Sequence, residues 1–241
     1  MNSNHSIKAI FFDLDGTLRH SVPEGGQVFD EYLLSQGHRL SEGDRQRAMR
    51  WEYLYWANSV DLRDDLLAHT ADTENFWIEY SRRRLIALGF SIDSARELAP
   101  QVSGHMGEMY EPESIVPEDV RRLLPALKEA GYILAVISNR EKPFHDVLAS
   151  HDLSEYFHFS LAAGEVDIYK PEPGVFKHAL ERGKVNAQET VYVGDNYFAD
   201  VVGSRRAGLH PVLYDPHGVF PDVDCVKIKS FDDLDAVIKT L

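Results

Sequence analysis

Five consecutive residues near the start of the chain, Asp13-Leu14-Asp15-Gly16-Thr17, place two carboxylates two positions apart, directly after the apolar run IKAIFF. Three further polar groups end comparable runs or precede a helical pattern: Ser138-Asn139-Arg140, Lys170-Pro171, and Gly194-Asp195-Asn196, with Asp200 five residues after Asp195. Together these residue types suit phosphoryl transfer through an enzyme-bound aspartyl phosphate. A carboxylate is a competent nucleophile, and covalent catalysis splits one difficult hydrolysis into two easier steps. Asp13, at the strand tip, is the expected nucleophile. Asp15 is the expected acid toward the leaving alkoxide and then the base toward the attacking water. Two anions approach each other in such a reaction, so their charge must be neutralised. Mg²⁺ prefers hard oxygen ligands. Asp13, Asp195 and a backbone carbonyl of the first loop are its candidate ligands, with Asp15 counted in the set and Asp200 acting directly or through water. Lys170 offers a fixed positive charge, and Thr17, Ser138, Asn139 and Lys170 are the candidate phosphate-binding residues.

For these groups to meet, the apolar runs must be parallel strands of one sheet, because open α/β sheets bind ligands outside the carboxyl ends of their strands. Four runs qualify: 7–13, 132–138, 190–195 and 210–215. None alternates apolar with polar, as expected of strands covered on both faces. Helical patterns at 117–130, 172–182 and 198–207 separate them and close on Gly131, Gly183 and Gly208, and a last one opens at Ser230. The alternation predicts a doubly wound, Rossmann-like parallel α/β sheet. Between Arg19 and Ile115 the rhythm breaks, with helical patterns at 26–36, 43–58, 73–88 and 92–110 and no evident strand. The expected organisation is an α/β core of residues 1–18 and 116–241 with an all-helical cap at 19–115. Pro23, Pro112 and Pro117 punctuate hinges near 17–22 and 111–117.

FFDLDGTL, Ser138-Asn139, Lys170-Pro171 and VGDNYFAD resemble, in order and rough spacing, the four motifs of the haloacid dehalogenase-like hydrolase superfamily. The resemblance covers the whole core. The helical insertion is similar to the cap of that superfamily's first subclass in position and helical character. Several chemistries share this resemblance, and some of the residues discriminate among them. A family dehalogenase needs neither a metal nor an acid two residues after the nucleophile, so Asp15 with Asp195 and Asp200 favours phosphorus over carbon. Family phosphonate hydrolases act through a cap lysine, and residues 19–115 contain no lysine. The expected function is a Mg²⁺-dependent phosphatase acting on a small-molecule phosphomonoester. A phosphomutase, a 2-haloacid dehalogenase, and a catalytically idle phosphate- or partner-binding module on the same fold are the alternatives.

The bulk properties agree with such an enzyme. The chain has 241 residues, 44% of them hydrophobic, enough for a sizeable core. No run approaches the ~18 uninterrupted apolar residues of a membrane span. The N-terminal segment lacks the charged start, apolar middle and cleavage site of a secretion signal. A single cysteine, Cys225, forms no internal disulfide, so a cytoplasmic location is expected. A net charge of −14 disfavours nucleic acid and anionic membranes as partners and leaves a small phosphorylated metabolite. Residues 19–115 carry ten arginines against seventeen carboxylates, which suits a modest phosphomonoester or one bearing an amine. In that stretch Trp51, Tyr55, Trp56, Phe76, Trp77 and Tyr80 fall at helical spacings that predict core packing. Arg82-Arg83-Arg84 reads as a solvated face with one member paired, and Arg19 and His20 lie close enough to the first motif to reach the mouth of the site.

Overall fold

The computed structural model describes residues 6–241, so the first five positions of the expected core segment lie outside the described residues. The chain divides into two compact units: the segment up to His20 together with Ile115–Leu241, and Ser21–Ser114. In chain order the strands are β1 (Ala9–Phe12), β2 (His20–Val22), β3 (Glu113–Ile115), β4 (Ile133–Ser138), β5 (Phe159–Ala162), β6 (Thr190–Gly194), β7 (His210–Tyr214) and β8 (Val226–Ile228). The short strands β2 and β3 pair with each other, at the two ends of a stretch where the sequence predicts none. The other six form one sheet in the order β5-β4-β1-β6-β7-β8, every pairing parallel. The order runs outward from β1 in both directions. This is the doubly wound arrangement, and its switch point lies between β1 and β6.

Each residue of β1 is fully buried because the sheet is covered on both sides. Helices α1 (Gly25–Ser35), α2 (Glu42–Trp56), α3 (Val60–Ala68), α4 (Thr73–Leu88) and α5 (Ile92–Met109) belong to the second unit. The sheet unit carries α6 (Glu118–Glu129), α7 (His145–Ser150), α8 (Pro173–Gly183), α9 (Val202–Arg206) and α10 (Leu234–Ile238). Successive strand residues point to opposite faces. Ile10 and Phe12 therefore pack with Val120, Leu124 and Leu127 of α6 and Leu234 and Ile238 of α10. Ala9 and Phe11 pack with Val175, Phe176 and Ala179 of α8. Helix ends follow local chemistry: α6 starts after Pro117 and stops before Gly131, at φ 86°. At the end of α8 the left-handed residue is Lys184, whereas Gly183 is still helical.

The helical unit is built from well-capped segments. Ser41 and Asp44 form a reciprocal capping box on α2, and the side chains of Ser59, Asp72 and Ser91 cap α3, α4 and α5. One core joins Phe29, Leu33, Leu85, Leu88, Ala95 and Val102. A second, aromatic one joins Trp51, Tyr55, Phe76 and Tyr80 with Leu62 of α3. Trp56 and Trp77 stay 37% and 46% exposed, so only part of the expected stripe is core. The three consecutive arginines are all paired. Arg84 is buried, donating to Asp30 at 2.8 Å with its guanidinium over the Phe29 ring; Arg83 bridges Asp61 and Asp65; Arg82 holds Glu79. Among the described residues no helix is long and apolar enough to cross a membrane.

Candidate active site

Asp13 follows the last residue of β1, and its N–H donates to Val193 O of β6 at 2.9 Å. Continuing the parallel registers Phe12↔Val136 and Phe12↔Val193 puts Ser138 and Asp195 one step beyond the level of Asp13 on either side. The three strand ends therefore converge at the switch point. Groups 22 to 157 residues apart from it in sequence meet at Lys170, which is 3% exposed. Its ammonium donates to Asp13 Oδ1 at 2.6 Å, Asp200 Oδ1 at 2.7 Å and the Tyr192 hydroxyl at 3.1 Å. An ammonium has three protons, and here all three have acceptors.

The side chains around Lys170 are held as firmly as Lys170 itself. Asn139 accepts the Lys170 N–H at 2.7 Å and donates its amide to Lys170 O at 3.0 Å, clamping the lysine's backbone rather than facing a ligand. Tyr192 donates onward to Ile137 O at 3.0 Å. Asp200 sits in a single π-helical turn, Tyr197–Val201, and its second oxygen accepts the Asn196 N–H at 2.9 Å. Asn196 Oδ1 caps the same turn through Phe198 N and Ala199 N. Thr17 is likewise committed, donating to Asp195 Oδ1 at 3.0 Å and accepting the Asp195 N–H at 3.0 Å. Its hydroxyl thus fixes a carboxylate and has no proton left for a phosphate. Ser138 differs: it is buried at the end of β4, and its hydroxyl makes no hydrogen bond among the described residues. Gly16 closes the first loop at φ 88°, where a Cβ would come within 2.2 Å of Asp195 Oδ2, so only glycine fits.

The electrostatics of the buried group are strained. Burial pushes the Asp13 carboxyl up to about 7, the Lys170 charge opposing and the Asp200 charge adding to that rise. Burial, then Asp13 and Asp200, hold Asp195 well above the ordinary carboxylate range. For Lys170, burial works against the ammonium, but Asp13 and Asp200 outweigh it and keep the amine protonated. One oxygen from each of Asp13, Asp195 and Asp200 lies within 4.8 Å of the others. Three carboxylates, two of them buried, share one ammonium, and when all three are ionised two negative charges are left uncompensated. That donor set, all hard oxygens, fits a hard divalent cation such as Mg²⁺.

Asp15 lies outside this cluster. Its side chain is 41% exposed and turns to two arginines: Arg140, which donates Nε to Oδ2 at 2.8 Å and Nη2 to Oδ1 at 2.9 Å, and Arg19, 3.1 Å from Oδ1. Arg19 thus does reach the site, whereas His20 packs edge-on against Tyr214. Sequence reasoning gave no role to Arg140 or Tyr192. The only signals were a charged residue straight after Ser138-Asn139 and a phenol in the middle of a largely apolar strand, whose hydroxyl must find a partner when buried.

A family model described as a haloacid dehalogenase-like hydrolase matches residues 7–208. The chain is 28% identical over 213 residues to the haloacid dehalogenase-like hydrolase domain-containing protein 3 of Xenopus laevis, covering 88% of this chain and 85% of that one. It is 29% identical over 238 residues to a phosphoserine phosphatase of Thermus thermophilus, covering 90% and 91%. A 2-haloacid dehalogenase from Pseudomonas syringae has a similar solved structure, with TM-score 0.56 at 25% identity over 97% of this chain and 99% of that one. The matched span runs from the first strand through every strand end that carries a site residue, and on that evidence the chain belongs to the haloacid dehalogenase-like hydrolase family.

Proposed function

We propose that this hydrolase is a phosphatase that cleaves small phosphomonoesters through an aspartyl phosphate on Asp13, with the helical unit Ser21–Ser114 serving as its cap. The observation that carries the reading is the contrast between two carboxylates two residues apart. Asp13 is buried on Lys170, held for attack by a hydrogen bond to one oxygen. Asp15 is half-exposed, free of the buried cluster and on the solvent side, where a leaving group departs. A dehalogenase has no leaving oxygen to protonate and no use for the second carboxylate. The phosphatase relative supports the same choice, whereas the dehalogenase structure speaks for the fold, which many chemistries share.

In the first step the free Asp13 oxygen bonds to phosphorus as the ester P–O bond breaks, and Asp15 gives its proton to the departing alkoxide. In the second, Asp15 takes a proton from water, whose oxygen attacks the same phosphorus; the bond to Asp13 breaks and inorganic phosphate leaves. Ser138 donates its uncommitted hydroxyl to a phosphoryl oxygen, while Thr17 and Asn139 act indirectly, through Asp195 and Lys170. Mg²⁺ held by Asp13 and Asp195, with Asp200 behind them, would neutralise the phosphoryl oxygens as the carboxylate approaches.

The test is hydrolysis of an aryl phosphate with and without Mg²⁺. The wild type should turn over only with the metal, Asp13→Asn should show none, and Asp15→Asn should lose about 10²–10⁴-fold in kcat. Turnover that survives Asp13→Asn would overturn the mechanism, and a wild type inactive with Mg²⁺ would overturn the phosphatase itself.

A further inference from the structure

Asp15 is already engaged at both carboxylate oxygens in the position it occupies. Both of its oxygens accept from the Arg140 guanidinium, through Nε and Nη2, in the planar two-point geometry that suits arginine to carboxylates. Both oxygens must be released before either can serve a leaving group. The backbone that carries Arg140 is anchored. Its carbonyl accepts the Gly164 N–H at 3.1 Å, and a Cβ on Gly164 would lie 2.0 Å from the Glu141 carbonyl oxygen, so the two loops touch backbone to backbone. On the other side Asn139 is tied to Lys170 through both ends of its amide. The guanidinium thus hangs from a fixed point, 34% exposed, and for Asp15 to reach a leaving oxygen the fork must open at every turnover.

The buried cation of the site offers a ligand nothing, since the three protons of Lys170 are given to Asp13, Asp200 and Tyr192. Arg140 has five N–H groups and uses two. What would best replace Asp15 on it is a group of the same shape and charge. We propose that Arg140 reads a carboxylate on the substrate: the phosphorylated acid takes the guanidinium's two-point contact, and Asp15, displaced by that exchange, turns to the ester oxygen. The substrate class is then a phosphomonoester of a small hydroxy acid. This deepens the phosphatase reading and rests on it. It also departs from the amine suggested by the acidic balance of residues 19–115, because the cation with N–H groups to spare beside Asp15 is a guanidinium.

The experiment compares kcat and KM for the phosphate ester of a 2-hydroxy acid and for the same ester with its carboxylate converted to a primary amide. Wild type, Arg140→Gln and Arg140→Lys are assayed with Mg²⁺ against an aryl phosphate control. In the wild type the acid should exceed the amide about tenfold or more in kcat/KM, the scale of one two-point charged contact. Arg140→Gln should bring the ratio to near one, and Arg140→Lys, which keeps the charge but loses the fork, should fall between. A residue that only props Asp15 would lower both esters alike and leave the ratio unchanged, which overturns the proposal. So does a wild type that hydrolyses the aryl phosphate but treats acid and amide equally. A wild type inactive on all three substrates instead removes the phosphatase reading beneath it. Thermal melting of both variants guards against misfolding.

Discussion

A buried ammonium is tolerated only when its charge and all of its protons are matched. Lys170 meets that condition with two carboxylates and one phenol, and the phenol is the partner whose removal is least disruptive. Tyr192→Phe keeps the ring and its edge-on packing on Phe176, at 4.9 Å between centroids. It removes one acceptor from Lys170 and one donor from Ile137 O. An ammonium short of an acceptor is less firmly placed against Asp13, so kcat on an aryl phosphate should fall about tenfold with KM little changed, and stability should drop by about 1–3 kcal/mol in urea unfolding. A stability loss with kcat intact would make Tyr192 a packing residue only. The residues that could be found from sequence were those whose types already declare chemistry beside a strand end, Asp13, Asp15, Lys170, Asp195 and Asp200. Tyr192 and Arg140 were not, because their partners lie 22 and 125 residues away and only the sheet order brings them together. Thr17 and Asn139 were visible as polar residues, but that their hydrogen bonds turn to Asp195 and Lys170 is a matter of loop geometry.

At the scale of elements, long buried runs betrayed themselves and short ones did not. The largely apolar β1, β4, β6 and β7 stand out from their flanks. β5 spans four residues, FSLA, and β8 three, VKI, with two exposed positions; both are edge strands, covered less and patterned less. α3 escaped because Ser59 restarts a helix only three residues after α2 ends, so no long loop marks the break. The first loop is the opposite case: strand, two carboxylates and glycine in six residues, each with a structural reason. Its tightest point is Gly16. Gly16→Ala must place a methyl in a left-handed backbone, costing roughly 1–2 kcal/mol, and 2.2 Å from Asp195 Oδ2. The expected protein keeps its circular dichroism but loses about 100-fold or more in kcat, since Asp195 has to move off Thr17. Near wild-type turnover would mean that the first loop and Asp195 do not have to touch.

For the molecule as a whole, the arrangement that suits catalysis is costly to folding. The chain already carries a net charge of −14, and it gathers Asp195 and the buried Asp13 and Asp200 around a single lysine. Burial and its two neighbours raise Asp195 well above the ordinary carboxylate range, so at neutral pH folding must either protonate it or pay for its charge. A cation that binds these carboxylates in the folded state and not in the unfolded chain removes that cost and stabilises by mass action, by about 2.7 kcal/mol at a hundredfold excess over its dissociation constant. At roughly 2–4 °C per kcal/mol for a chain of this size, saturating Mg²⁺ should raise the melting temperature by about 5–10 °C. Asp195→Asn should behave differently in both conditions. Without metal it should melt above the wild type, because one uncompensated carboxylate is gone. With metal it should gain little, because the cation has lost a charged ligand. Calorimetry of the two proteins in EDTA and in Mg²⁺ reads all four values without any substrate, and an equal rise in both would place the cation somewhere other than beside Asp195.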